Sequence, residues 1–278
     1  MSIATDASAQ VNRPVMIMVA PNGAYAGRAD NPATPITPAE IAAAVTRCAA
    51  AGASIAHIHA RDADGKPTQS LAVFREIVER IREKSDIVLQ ISLGTPGFTV
   101  DEALEPIVLK PEMVSLPLVA FMNGDARAQG LVKQMAERVR DAGVRPELSV
   151  YSDAMLNGAL GLIAAGAVRA PASFGLILKQ PASMRAGAEH LLRLAGALPE
   201  SSHWWFAKGG KFGLGLRALA IELGGHVRVG FEDSVLDFGA SGLAPDNASQ
   251  VERIVTLCAA LGRPVATAAQ ARVAVGVT

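Results

Sequence analysis

His57 and His59 lie in the run Ile55-Ala56-His57-Ile58-His59-Ala60-Arg61-Asp62. On an extended strand two residues so spaced point the same way, with α-carbons about 6.5 to 7 Å apart, so both imidazoles can converge on one ion. The lesser alternative for the same pair is hydrogen-bonded core. A second group, His226-Val227-Arg228-Val229-Gly230-Phe231-Glu232-Asp233, places Arg228, Gly230 and Glu232 on one face of a strand and Val227, Val229 and Phe231 on the other. A guanidinium and a carboxylate are thereby directed inward, and buried charges need partners; Arg228 with Asp233 reads equally well as a structural salt bridge. Glu232 with His57 and His59 makes a two-His-one-carboxylate set with an open position, typical of catalytic zinc, where the metal acts as a Lewis acid on a carbonyl or water. Manganese or iron would accept the same donors.

Other polar residues are less specific. The segment Gly209-Gly210-Lys211-Phe212-Gly213-Leu214-Gly215-Leu216-Arg217-Ala218 contains Gly-x-Gly-x-x-Ala, a weak match to a dinucleotide fingerprint. Its glycines and cations better suit a helix N-terminus that holds a phosphate or thioester of a larger cofactor, through Lys208, Gly209, Gly210 and Lys211, or else a tightly packed turn. Asn22, Ser92, Ser115 and Lys179 follow or end other strand candidates and read as substrate contacts or as plain loop. His190 falls in a helical pattern, His203 begins a strand, and His226 is expected to hold a turn.

These residues need a scaffold that brings strand ends together. Short apolar runs at 15–20, 54–60, 86–91, 113–116, 147–151, 173–178, 203–207 and 226–232 are each followed by a helical pattern, at 38–51, 70–83, 100–108, 130–142, 153–165, 186–197, 212–223 and 247–261. Alternation of this kind implies parallel βαβ units, because a crossover helix must cover a sheet buried on both faces. Thr37-Pro38-Ala39-Glu40 carries a helix start, a capping Thr before Pro with Glu three residues after the cap, and Ala51-Gly52 supplies a stop. Eight such units predict an α/β fold, a (β/α)₈ TIM barrel formed by one domain over 1–278, with 1–12 as a flexible leading segment. Chemistry then belongs at the carboxyl ends of the strands, where His59 and Glu232 fall.

Composition narrows the function classes. The 278 residues carry 26 Lys+Arg against 26 Asp+Glu with no basic cluster, which argues against a nucleic-acid partner. The 12 leading residues lack the charged start and apolar run of a signal peptide. The longest apolar stretch, about 14 residues, falls short of the roughly 20 that span a bilayer. Two cysteines, Cys48 and Cys258, sit in apolar helical patterns and fit a reducing cytoplasm.

With those residues placed, the chain resembles the β-keto acid cleavage enzyme family along nearly its whole length. The resemblance rests on Ala20-Pro21-Asn22-Gly23-Ala24, His57-Ile58-His59-Ala60-Arg61-Asp62, Gln90-Ile91-Ser92, Pro111-Glu112-Met113, Arg145-Pro146-Glu147-Leu148 and, most specifically, Leu223 through Asp233. It implies a zinc-dependent barrel that condenses a β-keto acid with acetyl-CoA and cleaves the product to acetoacetate and a new acyl-CoA. The zinc ligands would be His57, His59 and Glu232. Asp233 would be the base, made competent by Arg228, and Ser92 would orient the keto acid. A homotetramer is implied as well. The chain departs from the family pattern after its fourth strand (Pro117 to Asn123), at Leu178-Lys179-Gln180, at Ser149 in place of a Glu and at Ser234 in place of an Asn. Lys179 would favour a substrate with an anionic distal group. The rival readings are a metal hydrolase on the same barrel, which lacks further histidines at strands five and six, a metal-dependent aldolase that needs no CoA, and a non-catalytic metal-containing binding protein for keto acids or thioesters.

Overall fold

The computed structural model describes residues 13–94, 97–122, 124–178, 182–208, 212–238 and 242–277; the leading segment 1–12 lies outside them. Eight parallel strands close into a barrel: β1 (Ile17–Val19), β2 (Ile55–Ile58), β3 (Val88–Ser92), β4 (Met113–Leu116), β5 (Arg145–Val150), β6 (Ser173–Leu178), β7 (His203–Lys208) and β8 (His226–Val229). Each pairs with its neighbour in chain order, and β1 closes on β8 through Ile17 opposite Val227 and Met18 opposite Arg228. The connecting helices are α1 (Pro38–Ala50), α2 (Leu71–Arg82), α3 (Val100–Leu104), α4 (Ala126–Asp141), α5 (Asp153–Ala164), α6 (Met184–Gly196), α7 (Gly213–Glu222) and α8 (Asn247–Ala260). This is the (β/α)₈ barrel expected from the alternating pattern. None of the described helices is long and apolar enough to cross a membrane.

Side-chain alternation sorts the strands into two environments. Outward residues such as Ile17, Val19, Ile58, Leu89, Ile91 and Val114 are fully buried beneath the helices. Inward residues fill the lumen in tiers. The lower tier is apolar, with Met16, Met18, Ile55, Val88, Met113 and Trp205 packed together. The upper tier, nearer the carboxyl ends, is polar, with His57, Gln90, Ser115, Glu147 and Arg228 all buried. Cys48 and Cys258 are buried on α1 and α8 and unpaired.

The expected helix start at Thr37 is present as a full capping box, Thr37 Oγ1 accepting from the Glu40 amide and the Glu40 carboxylate accepting from the Thr37 amide. Four local expectations need correction. The second strand ends at Ile58 rather than continuing to residue 60; Ala60–Arg61 turns instead into an antiparallel hairpin with Pro67–Thr68. The helix expected over 100–108 is α-helical only to Leu104 and continues as a 3₁₀ turn, Glu105–Leu109; Pro106 has no amide hydrogen to continue the α pattern. His226 opens β8 rather than holding a turn, and its Nδ1 accepts from the Met16 amide at 3.1 Å. Finally, α9 (Ala268–Val275), capped by Thr267 and Gln270, was not anticipated and seats Ala271 and Val275 against the lower lumen.

The eighth strand holds the largest difference. Its regular pairing stops at Val229, and Gly230 takes φ +128°. A turn follows in which the amides of Asp233 and Ser234 both bond to the Gly230 carbonyl, at 2.9 and 3.0 Å. Glu232 thus reaches the lumen mouth by a turn and not by strand alternation, with its amide on the Ala20 carbonyl at 3.2 Å. A β-carbon at residue 230 would stand 2.2 Å from that same carbonyl oxygen. Both the clash and the left-handed φ penalise any side chain there, so Gly230→Ala should lower unfolding free energy by about 2–4 kcal/mol. Urea denaturation of the variant beside the parent chain checks this, with Gly242→Ala, where nothing crowds the β-carbon, as the tolerated control.

Candidate functional site

At the carboxyl end of the barrel, β2 presents His57, the residue after it presents His59, and the turn after β8 presents Glu232. The Nε2 atoms of the two imidazoles lie 3.1 Å apart. Glu232 Oε2 is 3.3 Å from His57 Nε2 and 3.4 Å from His59 Nε2. Both histidines are buried, and Glu232 Oε2 has no hydrogen-bond donor.

The protonation state of His57 gives this triangle its meaning. Its Nδ1 is 2.6 Å from Gln90 Oε1, and an amide oxygen can only accept, so Nδ1 carries a hydrogen and, in the neutral ring that a metal requires, Nε2 keeps its lone pair. Burial lowers the pKa of His59, with Glu232 opposing, and the net direction keeps that ring neutral. One proton at most can lie among three acceptor atoms, which leaves lone pairs facing each other in a buried site. A cation in the centre removes the conflict. Nitrogen and oxygen ligands at 2.0–2.1 Å around a tetrahedral ion stand about 3.3 to 3.4 Å from one another, close to the 3.1 to 3.4 Å found. Among the described residues this is the group of donors assembled so as to hold a metal ion.

A chain of hydrogen bonds supports the first donor, His57. Gln90, paired in register with His57, donates from Nε2 to Glu147 Oε2 at 3.1 Å, and Ser149 Oγ donates to Glu147 Oε1 at 3.3 Å. Gly175, in register with Ser149 on β6, leaves the room: a β-carbon there would stand 2.4 Å from Glu147 Oε1. Partners of this kind fix the orientation and tautomer of a ligating imidazole.

Arg228 supports the third donor, Glu232. Its Nε and Nη2 bond to the two oxygens of Asp233, at 2.9 and 3.1 Å, and Nη2 also reaches Glu232 Oε1. Burial would lower the pKa of this guanidinium, but Asp233 and Glu232 outweigh it and hold it well above the usual value. Burial would likewise raise Glu232, and Arg228, on its Oε1, leads the groups that overcome this and hold it well below the ordinary carboxylate range. The arrangement keeps Glu232 ionised and leaves Asp233 beside it on the same cation.

The remaining expected residues fall at the same mouth with one group outside view. Asn22 is fully buried after β1, its Nδ2 on the His59 carbonyl at 3.2 Å and its Oδ1 without a donor. Ser92 and Ser115 end adjacent strands in register, their hydroxyls 3.5 Å apart. Lys208 ends β7 with φ +70°. Lys179, Gly209, Gly210 and Lys211 lie outside the described residues. His203 is on the opposite side of the barrel, 5.9 Å from His226 between ring centroids.

Several side chains at the site carry no motif of their own. Arg61 spends its guanidinium on main-chain carbonyls, of Gly23, Gly65 and Ala26, each at 2.9 Å, and so ties the loop after β1 to the hairpin. Gly23, with φ +60°, lies against Glu232, whose Cγ would be 2.4 Å from a β-carbon. Asn247 and Gln250, on the first turn of α8, accept from the Phe231 and Gly230 amides, both at 2.9 Å, and Asn247 also donates to the Pro21 carbonyl at 3.0 Å. Only their place beside a helix start hints at this in the sequence.

Comparison with known proteins places the chain in a family. Residues 14–277 match the model of the beta-keto acid cleavage enzyme family. The chain is 38% identical over 265 residues to a 3-keto-5-aminohexanoate cleavage enzyme of Fusobacterium nucleatum, covering 93% of this chain and 96% of that one. It is 32% identical over 276 residues to a 3-oxoadipate:acetyl-CoA acetyltransferase of Cupriavidus necator, covering 96% of each. Among solved structures, a binary complex of ObcA with oxaloacetate superposes with a TM-score of 0.74 at 20% identity, over 88% of this chain and 67% of the other, a likeness of fold.

The hydrogen-bond chain behind His57 leads to a measurable expectation. Gln90→Leu removes the acceptor that fixes the His57 tautomer and should weaken divalent-metal affinity 10- to 100-fold, as read by competition with a chromophoric chelator, while the folded far-UV spectrum persists.

Proposed function

The chain belongs to the β-keto acid cleavage enzyme family, and from that premise we propose a zinc-dependent reaction in which His57, His59 and Glu232 hold the metal and Arg228 and Asp233 handle the proton. The overall exchange takes R–CO–CH₂–COO⁻ and acetyl-CoA to acetoacetate and R–CO–SCoA. One carbon–carbon bond forms between the keto acid's C2 and the acetyl carbon, one breaks between C2 and the keto carbon, and CoA passes to the departing acyl group. Zinc, when bound, supplies a Lewis acid that makes a proton next to the keto carbonyl easier to remove. The observation that carries this reading is the lone-pair triangle standing one residue from a carboxylate held by Arg228.

Each protein group then has a definite task. Asp233 accepts the C2 proton, its two oxygens steered by the Nε and Nη2 of Arg228. Ser92 and Ser115, side by side on adjacent strands, present hydroxyls to the keto acid, and Asn22 closes the wall beside His59. Lys208, Gly209, Gly210 and Lys211 receive the phosphates of acetyl-CoA, in the loop after the seventh strand where barrels commonly bind them. Lys179, directly after β6, selects a keto acid whose far end is anionic. The whole chain acts as one barrel domain in a homotetramer, and its two buried, unpaired thiols suit a reducing cytoplasm.

A panel of β-keto acids assayed for acetoacetate on metal-replete protein tests the reaction. Product should require acetyl-CoA, and Asp233→Asn should lower kcat by about 10²- to 10⁴-fold with bound metal retained, whereas His59→Ala should lose both metal and product. Turnover without acetyl-CoA would point to an aldolase instead. Lys179→Met separates the substrate classes: kcat/KM for a dicarboxylic keto acid should fall by about tenfold or more, one lost charge contact, while that for a keto acid with a neutral tail holds.

A further inference from the structure

The floor of the barrel, opposite the metal centre, contains a cluster that the reaction does not use. His226 and Trp205 are Cα partners on β8 and β7, so their side chains stand next to each other in the lumen. Their ring centroids are 5.4 Å apart, and His203 stacks on the far side of His226. Trp205 is wholly buried and His226 is 2% exposed.

The hydrogen-bond assignments there are strict. The Met16 amide donates to His226 Nδ1 at 3.1 Å, so that nitrogen is bare. Burial, reinforced by Arg13, His203 and Arg263, keeps the ring neutral, and its one hydrogen is therefore on Nε2. Neither His226 Nε2 nor Trp205 Nε1 has a partner. Both are donors and neither can accept. His203 cannot answer them: its Nδ1 takes a hydrogen bond from Arg13 at 2.7 Å, and it also bonds the Ala274 backbone.

The surrounding charge has one sign. Arg263 is 6% exposed, bonds only the carbonyls of Ile221 and Arg13, and leaves its Nε without a partner. Arg145 bonds the carbonyls of Val275 and Pro171. Among the described residues, none of Arg13, Arg145 and Arg263 has a carboxylate within ion-pair distance. Arg263 is buried, Arg145 half-buried and Arg13 exposed; buried donors, and a buried cation without counter-charge, each cost free energy, and natural interiors satisfy them. A water molecule could accept from both rings but would need acceptors for its own two hydrogens, and Met16, Met18 and Ile55 offer none. A halide needs donors alone.

We propose that the barrel floor binds one small monovalent anion of the halide class between the Trp205 indole N–H and His226 Nε2–H, with Arg263 and Arg13 supplying the compensating charge. The site closes beneath α9 and shares no residue with the metal centre. Crystals of the full chain prepared with sodium bromide in place of chloride test it directly: an anomalous peak between the two ring nitrogens is expected, and water-height density with no anomalous signal overturns the proposal. In solution, replacing gluconate by chloride at constant ionic strength should raise the unfolding midpoint by about 2–4 °C, and Trp205→Phe should abolish the rise. A rise that survives in Trp205→Phe overturns the assignment. Should that variant not fold, the bromide experiment on the parent chain decides alone.

Discussion

Three acceptor atoms held 3.1 to 3.4 Å apart in a buried site repel one another, and much of the barrel's upper tier exists to keep them there. An unpaired buried acceptor costs about 1–3 kcal/mol, so a chain left to itself would turn these side chains away. It is prevented from doing so on every side. Gln90 and Glu147 fix one imidazole, Asn22 lies on the carbonyl of the other histidine, and Arg228 grips Glu232 by the oxygen that does not face the imidazoles. The scaffold holds together three donor atoms that could hold a metal ion.

Arg228 serves two masters in this design. It neutralises Glu232, a proposed metal ligand, and Asp233, the neighbouring carboxylate, from one buried position on β8. Arg217 lies behind it, wholly buried, bonding the carbonyls of Arg228 and Lys208 at 3.1 and 2.9 Å with its guanidinium 4.4 Å above the Phe238 ring. Backbone, dyad and the end of β7 are thereby locked to one another. The same stretch of structure that positions Asp233 also holds the end of β7 at Lys208.

Much of this was legible in the sequence because strand and helix periods are local. Eight alternating apolar runs, the His-x-His spacing and the capping box at Thr37 depend on residues close together in the chain, and β4 and β6 appear at the expected bounds. Glu232 was identified by a face argument that the turn at Gly230 overrides; the residue reaches the imidazoles by a different path. Gln90 and Glu147 could not be assigned a task from periodicity, since only the register of β2 with β3 and the gap left by Gly175 bring them together. Arg61, Asn247 and Gln250 act on main-chain carbonyls and amides far away in sequence, contacts that no local pattern encodes. The helix α9 is short and Ala-rich and was passed over for the same reason that makes it a good plug: it has little amphipathic signal and small side chains.

The hydrogen bonds from Asn247 and Gln250 to Phe231, Gly230 and Pro21 couple the two ends of the chain. A ribosome delivers the histidine pair early and the carboxylate near the end, and α8, which holds that carboxylate's turn in place, comes later still. Until then the nascent protein offers an ion only two neutral nitrogens, a weak and exchangeable grip. Were an ion held by the three proposed ligands, the last of them would arrive with barrel closure, and the step that completes the fold would also be the step at which the ion becomes trapped.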